Sequence, residues 1–289
     1  MAERLFLKME LCPRLLIVDG LARTGKMLTS RLVSNFAKVE CFQYAPIIEQ
    51  FPVLGTLGLL DEHTTVSFLR LAVDVLAYDR MVGRNLNTRI ADASCIFKAN
   101  DFSDYLRRAL DDEGTEAVER YVAEQRITCF MTHNALVHFS YFLHAFPDVR
   151  MIHVVRHPVD VVHSSYIRDW GTRFGTDPRA FTLTIEGGAE PVPWWASKLK
   201  STYAAMTPME RVVNDVLVLV DLNSEGYRRI EERHRDQVLF LPYEKILAEP
   251  AVQMERAARF VDTETPDHFD AIIAREGLAT RKVAPLEDR

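Results

Sequence analysis

Residues 14–38 constrain this chain more than any other stretch. An apolar, β-branched run at 14–19 (RLLIVD) leads into Gly20-Leu21-Ala22-Arg23-Thr24-Gly25-Lys26, and a helical stretch follows over 27–38. This is G-x-x-x-x-G-K between a strand and a helix. The two glycines let backbone amides converge on one point, and the N-terminus of the following helix adds partial positive charge there. Arg23 and Lys26 add full charges. An ordinary strand–helix turn needs neither both glycines nor both cations. The loop therefore reads as an anion cradle, and the unit around it as the start of an α/β fold.

Further apolar runs at 127–132 (ITCFMT), 151–155 (MIHVV) and 238–242 (VLFLP), with a weaker one at 41–44, are short and rich in β-branched residues. Buried strands have this composition, and helical stretches alternate with them. The pattern predicts an α/β fold with a mostly parallel central sheet and helices on both faces. No repeat or low-complexity segment interrupts it, so a single domain over 1–289 is expected, with insertions at about 61–100 and 168–206. The first insertion reads as a helix over 61–82 and then a polar, irregular stretch to residue 100. The second contains Gly171, Gly175, Pro178, Gly187, Gly188, Pro191 and Pro193, and reads over 168–193 as a long loop or lid. Thr207-Pro208-Met209-Glu210 reads as a capping box. The helix it opens carries Met209, Val212, Val213, Val216, Leu217, Leu219 and Val220 at near-helical spacing. The VLVLVD run at 216–221 thus belongs to a helix rather than to a metal-binding strand.

Composition narrows the function classes. Of the 289 residues 48% are apolar, enough for a sizeable core, and the formal net charge of -6 offers no basic face for nucleic acid. No apolar run approaches the roughly 20 residues of a membrane-spanning helix. Lys8, Glu10 and Arg14 interrupt the stretch that a secretory signal would require. Cys12, Cys41, Cys95 and Cys129 are scattered without a C-x-x-C pair, which favours free thiols in a reducing compartment over a zinc site. Cytoplasm is the expected location.

Met27 stands where a nucleotide-triphosphatase loop carries the Ser or Thr that holds Mg²⁺, although Thr29 and Ser30 lie nearby. A second constellation follows the strand at 151–155. It reads Arg156-His157-Pro158-Val159-Asp160-Val161-Val162-His163-Ser164-Ser165-Tyr166. An arginine fork at a strand end suits phosphate, and Ser164 lies two turns along the helix that Pro158 helps to open. This R-x-P-x-D-V-x-x-S-x-Y pattern resembles the 3′-phosphate-binding segment of sulfotransferases that use 3′-phosphoadenosine 5′-phosphosulfate (PAPS). In that family the positions of Arg156 and Ser164 hold the nucleotide's 3′-phosphate. Arg23-Thr24-Gly25 is similar to the R-[ST]-G-[ST]-[ST] loop of carbohydrate sulfotransferases, which binds the 5′-phosphosulfate. Lys26 departs from that pattern by replacing a Ser or Thr. Thr132-His133 looks like the T-H pair that supplies the catalytic base in aryl and alcohol sulfotransferases, and His133 precedes Arg156 by 23 residues. Residues 241–250 (LPYEKILAEP) resemble the family's Y-E-D-L-x-x-x-P stretch, and Arg275-Glu276-Gly277 faintly resembles a late R-K-G nucleotide contact.

The main matches run over 14–166 and 238–250. The resemblance implies a P-loop-containing, sulfotransferase-like fold, with PAPS as co-substrate, 3′,5′-adenosine bisphosphate (PAP) as product, and no metal. The implied reaction moves a sulfuryl group to a hydroxyl or amine of a small-molecule or carbohydrate acceptor. His133 is the implied general base. Arg23 and Lys26 are implied to stabilise charge on the sulfuryl oxygens and the leaving phosphate. Arg23, Thr24, Gly25, Lys26, Met27, Arg156 and Ser164 form the expected nucleotide site. Trp194 and Trp195 either stack on an acceptor ring or pack the lid onto the core. Arg89, with Arg84, Asp92 and Lys98, either binds a polar acceptor or is a solvated loop charge. Two rivals stand beside this reading. Gly25-Lys26 fits a P-loop kinase using ATP, and the departure at Lys26 fits a catalytically inactive nucleotide-binding homologue.

Overall fold

The computed structural model describes residue 5 and residues 7–110, 114–188 and 190–278. From β1 (Leu15–Asp19) the glycine loop leads into α1 (Lys26–Val33) and the short edge strand β2 (Gln43–Tyr44). Helices α2 (Pro46–Thr56), α3 (Glu62–Met81), α4 (Phe102–Arg108) and α5 (Gly114–Ala123) then precede β3 (Thr128–Met131). A short α6 (Phe139–Ala145) returns the chain to β4 (Arg150–Val155). Next come α7 (Pro158–Tyr166), α8 (Trp170–Arg173), a hairpin of β5 (Thr184–Glu186) and β6 (Pro191–Pro193), and the long α9 (Pro208–Arg229). The last sheet strand is β7 (Val238–Pro242), followed by α10 (Tyr243–Ala248), α11 (Pro250–Phe260) and α12 (Phe269–Arg275).

The central sheet is parallel throughout, in the order β2-β3-β1-β4-β7. Strand side chains alternate between faces. Leu16 and Val18 join Cys129, Met131, Ile152, Val154, Leu239 and Leu241 in one cluster, covered by Leu28 and Leu32 of α1 and Met254 of α11. Leu15 and Ile17 join Phe130, Met151 and Val238 in another, covered by Val66 and Leu69 of α3 and by Phe139 and Phe142. Burial on both faces is why the strands read as unbroken apolar runs. The fold class is α/β with helices on both faces of a parallel sheet, as the pattern predicts.

The topology fixes where a site forms. From the central β1 the chain goes first to β2 and β3, and later to β4 and β7 on the other side. Open α/β sheets bind ligands outside the strand C-termini at such a reversal. The loop after β1, His133 after β3, Arg156 after β4 and Tyr243 after β7 all lie at this edge.

Two local expectations change. Helix α1 stops at Val33 rather than running to residue 38. Its end tightens into i→i+3 bonds, from Asn35 N–H to Leu32 and from Phe36 N–H to Val33, and Lys38 takes φ +65°. The stretch 168–193 is not a plain loop, because it contains α8 and the β5–β6 hairpin. Gly187 and Gly188 lie in the turn between β5 and β6, Gly171 lies within α8, and Pro191 and Pro193 bound β6. The apolar side of this lid (Val192, Trp194, Trp195, Tyr203) packs on Val216 and Leu219 of α9 in a third cluster. Asp215 secures it by accepting the Trp195 indole N–H at 2.9 Å and the Tyr203 hydroxyl at 3.0 Å. Burial pushes the Asp215 carboxyl up to about 6.

Other elements form as read. Helix α9 opens on the capping box, with Thr207 N–H donating to Glu210 Oε2 at 2.7 Å and Glu210 N–H to Thr207 Oγ1 at 3.3 Å. It contains the whole 216–221 run. Asp61 caps α3 by accepting the Thr64 N–H at 2.9 Å. The polar stretch after α3 holds a 3₁₀ turn at Ile96–Lys98. Beyond it, Arg108 of α4 grips both carboxylate oxygens of the buried Glu40, at 2.8 and 3.0 Å, and ties this insertion to the sheet edge. Among the described residues no helix is long and apolar enough to cross a membrane.

Candidate functional site

The glycine loop has the geometry of an anion cradle. Gly20 takes φ +149° and Gly25 φ +95°, and Arg23 between them takes φ +70°. A Cβ on Gly20 would lie 2.5 Å from the Val154 carbonyl oxygen, and one on Gly25 would lie 2.1 Å from the Tyr243 ring. Neither position admits a larger residue. A non-glycine residue at positive φ is uncommon, and such strain concentrates at functional sites. Gly25 is also the N-cap of α1 and supplies no side-chain cap, so the first amides of α1 have no capping partner.

Three arginines crowd this loop. Arg23 Nε donates to Ser164 Oγ at 3.0 Å, and Arg156 Nη1 donates to the Arg23 carbonyl at 3.0 Å. The two halves of the sequence motif, 133 residues apart, are thus bonded to one another. Burial lowers the Arg23 pKa, and the like charges of Arg168 and Arg156 lower it further. Arg168 is a member that the sequence reading missed. Arg156 Nε lies 3.9 Å from Asp160, beyond hydrogen bonding, and is sealed from solvent without a hydrogen-bond partner among the described residues. The Arg156 guanidinium sits 5.0 Å above the Tyr243 ring, and Glu244 accepts the His157 N–H at 3.0 Å. The Tyr243-Glu244 segment therefore supports both the loop and the start of α7. Crowded cations with an orphaned donor fit a ligand carrying several phosphate-like charges.

Lys26 takes an unexpected position. Its side chain is buried under the loop, where Nζ donates to the carbonyls of Gly20 at 3.1 Å and Leu21 at 2.9 Å. Burial pushes its pKa down, Asp19 and Glu49 pull it back, and the balance is about 8. Asp19 is fully buried at the end of β1. It accepts bonds from Thr132 Oγ1 (2.8 Å), the Ala135 and Leu136 amides (2.9 and 3.1 Å) and His153 Nδ1 (3.0 Å). Burial alone would raise its pKa, but those bonds and Lys26 hold it at about 2.

His133 lies just past β3, across the loop from the arginines. Glu49 of α2, almost wholly buried, accepts both its backbone N–H at 2.7 Å and its Nδ1 at 2.9 Å through one oxygen. A carboxylate oxygen accepts, so in the neutral imidazole this pairing selects the tautomer with the proton on Nδ1 and the lone pair on Nε2. The Tyr44 ring stands edge-on to the imidazole at 5.4 Å. Glu49 was invisible in the sequence: it is the one acidic residue of a mainly apolar helix, with no motif around it.

Two cavities flank the loop. One, of about 380 Å³, is lined by Ala22 and Met27 of the loop, Tyr44, Glu49, His133, Asn134 and His138, and by Trp170, Phe174, Trp194 and Trp195 of the lid. The other, of about 660 Å³, is lined by Leu21 and Thr24, Arg156, Val161, and Val216, Asn223 and Tyr227 of α9. A third cavity, of about 720 Å³, lies at the opposite end of the strands, and its Arg14 and Arg150 are committed to backbone carbonyls. That leaves it apart from the loop's chemistry. Trp194 and Trp195 are both buried in the lid cluster and form one wall of the first cavity. Arg89 is exposed, pairs with Asp92, and is not among the residues lining these cavities. Glu276 pairs with Arg31 of α1.

Among solved structures the chain is similar to the sulfotransferase domain from the curacin biosynthetic pathway, with 12% identity, a TM-score of 0.48, and coverage of 92% of this chain and 77% of that one. It is similar to the sulfotransferase STF9 from Mycobacterium avium, with 14% identity, a TM-score of 0.45, and coverage of 94% and 69%. It is also similar to the sulfotransferase domain of the Synechococcus PCC 7002 olefin synthase, with 12% identity, a TM-score of 0.42, and coverage of 93% and 80%. No curated protein matches the sequence. The family model of the sulfotransferase domain matches residues 13–286, nearly the whole chain, and the chain therefore belongs to the sulfotransferase domain family.

Proposed function

We propose that this sulfotransferase takes its sulfuryl group from PAPS and delivers it to a hydroxyl or amine of a small-molecule or carbohydrate acceptor. The observation that carries this reading is the joined cluster of Arg23, Arg156 and Ser164 on one side of the loop, with the His133–Glu49 pair on the other. PAPS supplies an activated sulfuryl group whose leaving group is a phosphate. Arg156 and Ser164 would hold its 3′-phosphate, and Arg23, Thr24, Gly25, Met27 and the α1 amides would hold its 5′ side. His133 Nε2 would take the proton that the acceptor oxygen or nitrogen loses as its new bond to sulfur forms. Glu49 would keep that lone pair aimed and stabilise the imidazolium. Lys26, bonded to the loop carbonyls, would fix the cradle's shape and add charge from beneath. The four cysteines are free and buried, which supports a reducing compartment and the cytoplasm as the proposed location.

Binding of 3′,5′-adenosine bisphosphate compared with ATP plus Mg²⁺ tests the donor. The bisphosphate is expected to bind without metal, and Arg156→Ala to weaken it roughly 10- to 100-fold, the value of one charge-assisted hydrogen bond or slightly more. Metal-dependent ATP binding with no bisphosphate binding would overturn the proposal. Transfer of labelled sulfuryl from PAPS to an acceptor panel tests the reaction.

A further inference from the structure

The lid brings a positive charge into the acceptor-side cavity that the transfer chemistry does not use. Arg173, the last residue of α8, and Arg179 both line that cavity together with His133. Among the described residues lining it, Glu49 is the one carboxylate, and it is committed to His133. The two arginines share a single acid behind the wall, Asp177, and they share it unequally. Arg179 grips it with Nε to Oδ1 at 2.9 Å and Nη2 to Oδ2 at 3.2 Å, and its backbone N–H adds a third bond to Oδ1 at 2.9 Å. Arg173 Nε lies 3.4 Å from Oδ2 and has no hydrogen-bond partner among the described residues. Its Nη2 donates to the Arg179 carbonyl at 3.3 Å, which holds the guanidinium in place without neutralising it. Asp177 therefore balances Arg179 and leaves Arg173 in excess.

That excess charge is held, accessible and close to the reacting end. The Arg173 guanidinium sits 5.6 Å from the Trp170 ring centroid, and about a third of the side chain is exposed. Burial and the Glu49 carboxylate push the Tyr44 phenol up, and Arg173 opposes them, so its charge reaches the ring that stands edge-on to His133. We propose that the acceptor is a hydroxy acid, with its alcohol presented to His133, its carboxylate held by Arg173, and an apolar spacer lying against Trp170, Phe174 and Trp194. The proposal rests on the sulfuryl-transfer reading and narrows its acceptor. A guanidinium fork matches a carboxylate in shape as well as in charge. The nucleotide beside the loop is a polyanion, so an acid entering next to it is repelled, and Arg173 offsets that repulsion. In the transfer the alcohol oxygen bonds to sulfur as the bond from sulfur to the bisphosphate oxygen breaks. His133 takes the alcohol's proton, and the carboxylate stays ionised on Arg173.

The test uses straight-chain ω-hydroxy acids, from 6-hydroxyhexanoate to 10-hydroxydecanoate, each with its methyl ester as the uncharged control. Their Kd is measured by calorimetry on the protein loaded with 3′,5′-adenosine bisphosphate, and kcat/KM is measured with labelled PAPS. At least one acid is expected to exceed its own ester roughly tenfold or more in both readouts, the effect of one charge-assisted hydrogen bond. In Arg173→Gln that ratio collapses toward one, and Arg173→Lys, which keeps the charge without the fork, retains part of it. Unchanged bisphosphate affinity in both variants reports an intact nucleotide half. The proposal is overturned if no acid gains over its ester, or if the ratio survives in Arg173→Gln. It is also overturned if Arg173→Gln weakens the bisphosphate as much as the acid, which would assign the guanidinium to the nucleotide. A protein that sulfates esters and acids alike keeps the transfer reading and loses this proposal. One that neither binds the bisphosphate nor sulfates any probe refutes the transfer reading itself, and the proposal with it.

Discussion

Lys26 makes nucleotide binding sensitive to pH in a way that can be worked out in advance. The ammonium is buried against two carbonyls, and burial brings its pKa down to about 8. Phosphate oxygens settling on the loop add negative charge close by, which favours the ammonium and raises that pKa again. Affinity is then level below pH 8 and falls about tenfold per pH unit above it, until the pKa of the complex is reached. If the complex restores the ordinary value of 10.5, binding at pH 9.5 is about 30-fold weaker than at pH 7, and the full effect is worth about 3 kcal/mol. At pH 9 close to one proton is taken up per nucleotide. The phosphates themselves finish titrating below this window, with a second pKa near 6. Without nucleotide the sign reverses. The unfolded chain binds more protons than the folded one between about pH 8 and 10.5, so this group's contribution to stability rises with pH there. The assay is calorimetric titration of 3′,5′-adenosine bisphosphate from pH 7 to 9.5, in two buffers of different ionisation enthalpy. Lys26→Met is expected to remove the inflection, and Lys26→Arg to remove it while keeping the charge. A flat wild-type profile, or the same inflection in Lys26→Met, refutes the reasoning.

Three further predictions follow from the geometry. His133→Ala is expected to lose about 10²- to 10⁴-fold in kcat while keeping bisphosphate affinity, and Glu49→Gln to lose at least about tenfold; a fully active Glu49→Gln protein would show that His133 needs no carboxylate. Gly25→Ala combines an unfavourable φ of +95° with a Cβ 2.1 Å from the Tyr243 ring, so it should cost about 1–3 kcal/mol or more in thermal unfolding and abolish bisphosphate binding; a normal melting curve would contradict this. Asp215 has its pKa raised from 3.8 to about 6, so the folded chain binds the extra proton, and the stability this contributes below pH 4 is lost as pH rises through 6. Asp215→Asn should flatten that slope, worth about 1.4 kcal/mol of the full ~3 kcal/mol between pH 5 and pH 8, as read by denaturant titration at those two pH values; equal slopes in both proteins would sink the assignment.

Local signals carried most of the fold. The four long strands, the α9 capping box and the α3 helix were legible because each depends on residues within a few positions of one another. The loop and the Arg156 segment were legible as motifs for the same reason. What the sequence hid was non-local. Glu49 is one carboxylate in an apolar helix, and only the parallel pairing of β2 with β3 brings α2 beside His133. Lys26 fits a motif in which it would point at the anion, yet its side chain folds back to the loop carbonyls. Gly187 and Gly188 mark a turn whether or not strands pair around it, and Pro191 and Pro193 argue against a strand, so the β5–β6 hairpin left no separate trace. The two tryptophans turned out to pack and to line at once, which an either–or reading could not express.

The lid's own apolar cluster has a consequence for how this chain can diversify. Val192, Trp194, Trp195 and Tyr203 pack with α9 and with Leu21, Val53, Val137 and Val161 in a cluster separate from the two that flank the sheet, meeting the glycine loop only through Leu21. Substitutions in well-separated clusters add nearly independently. Drift in the outer wall is then tolerated by the strands that carry the glycine loop, His133 and Arg156. A lineage could remodel what enters beside His133 by exchanging one hairpin, while inheriting its nucleotide half unchanged.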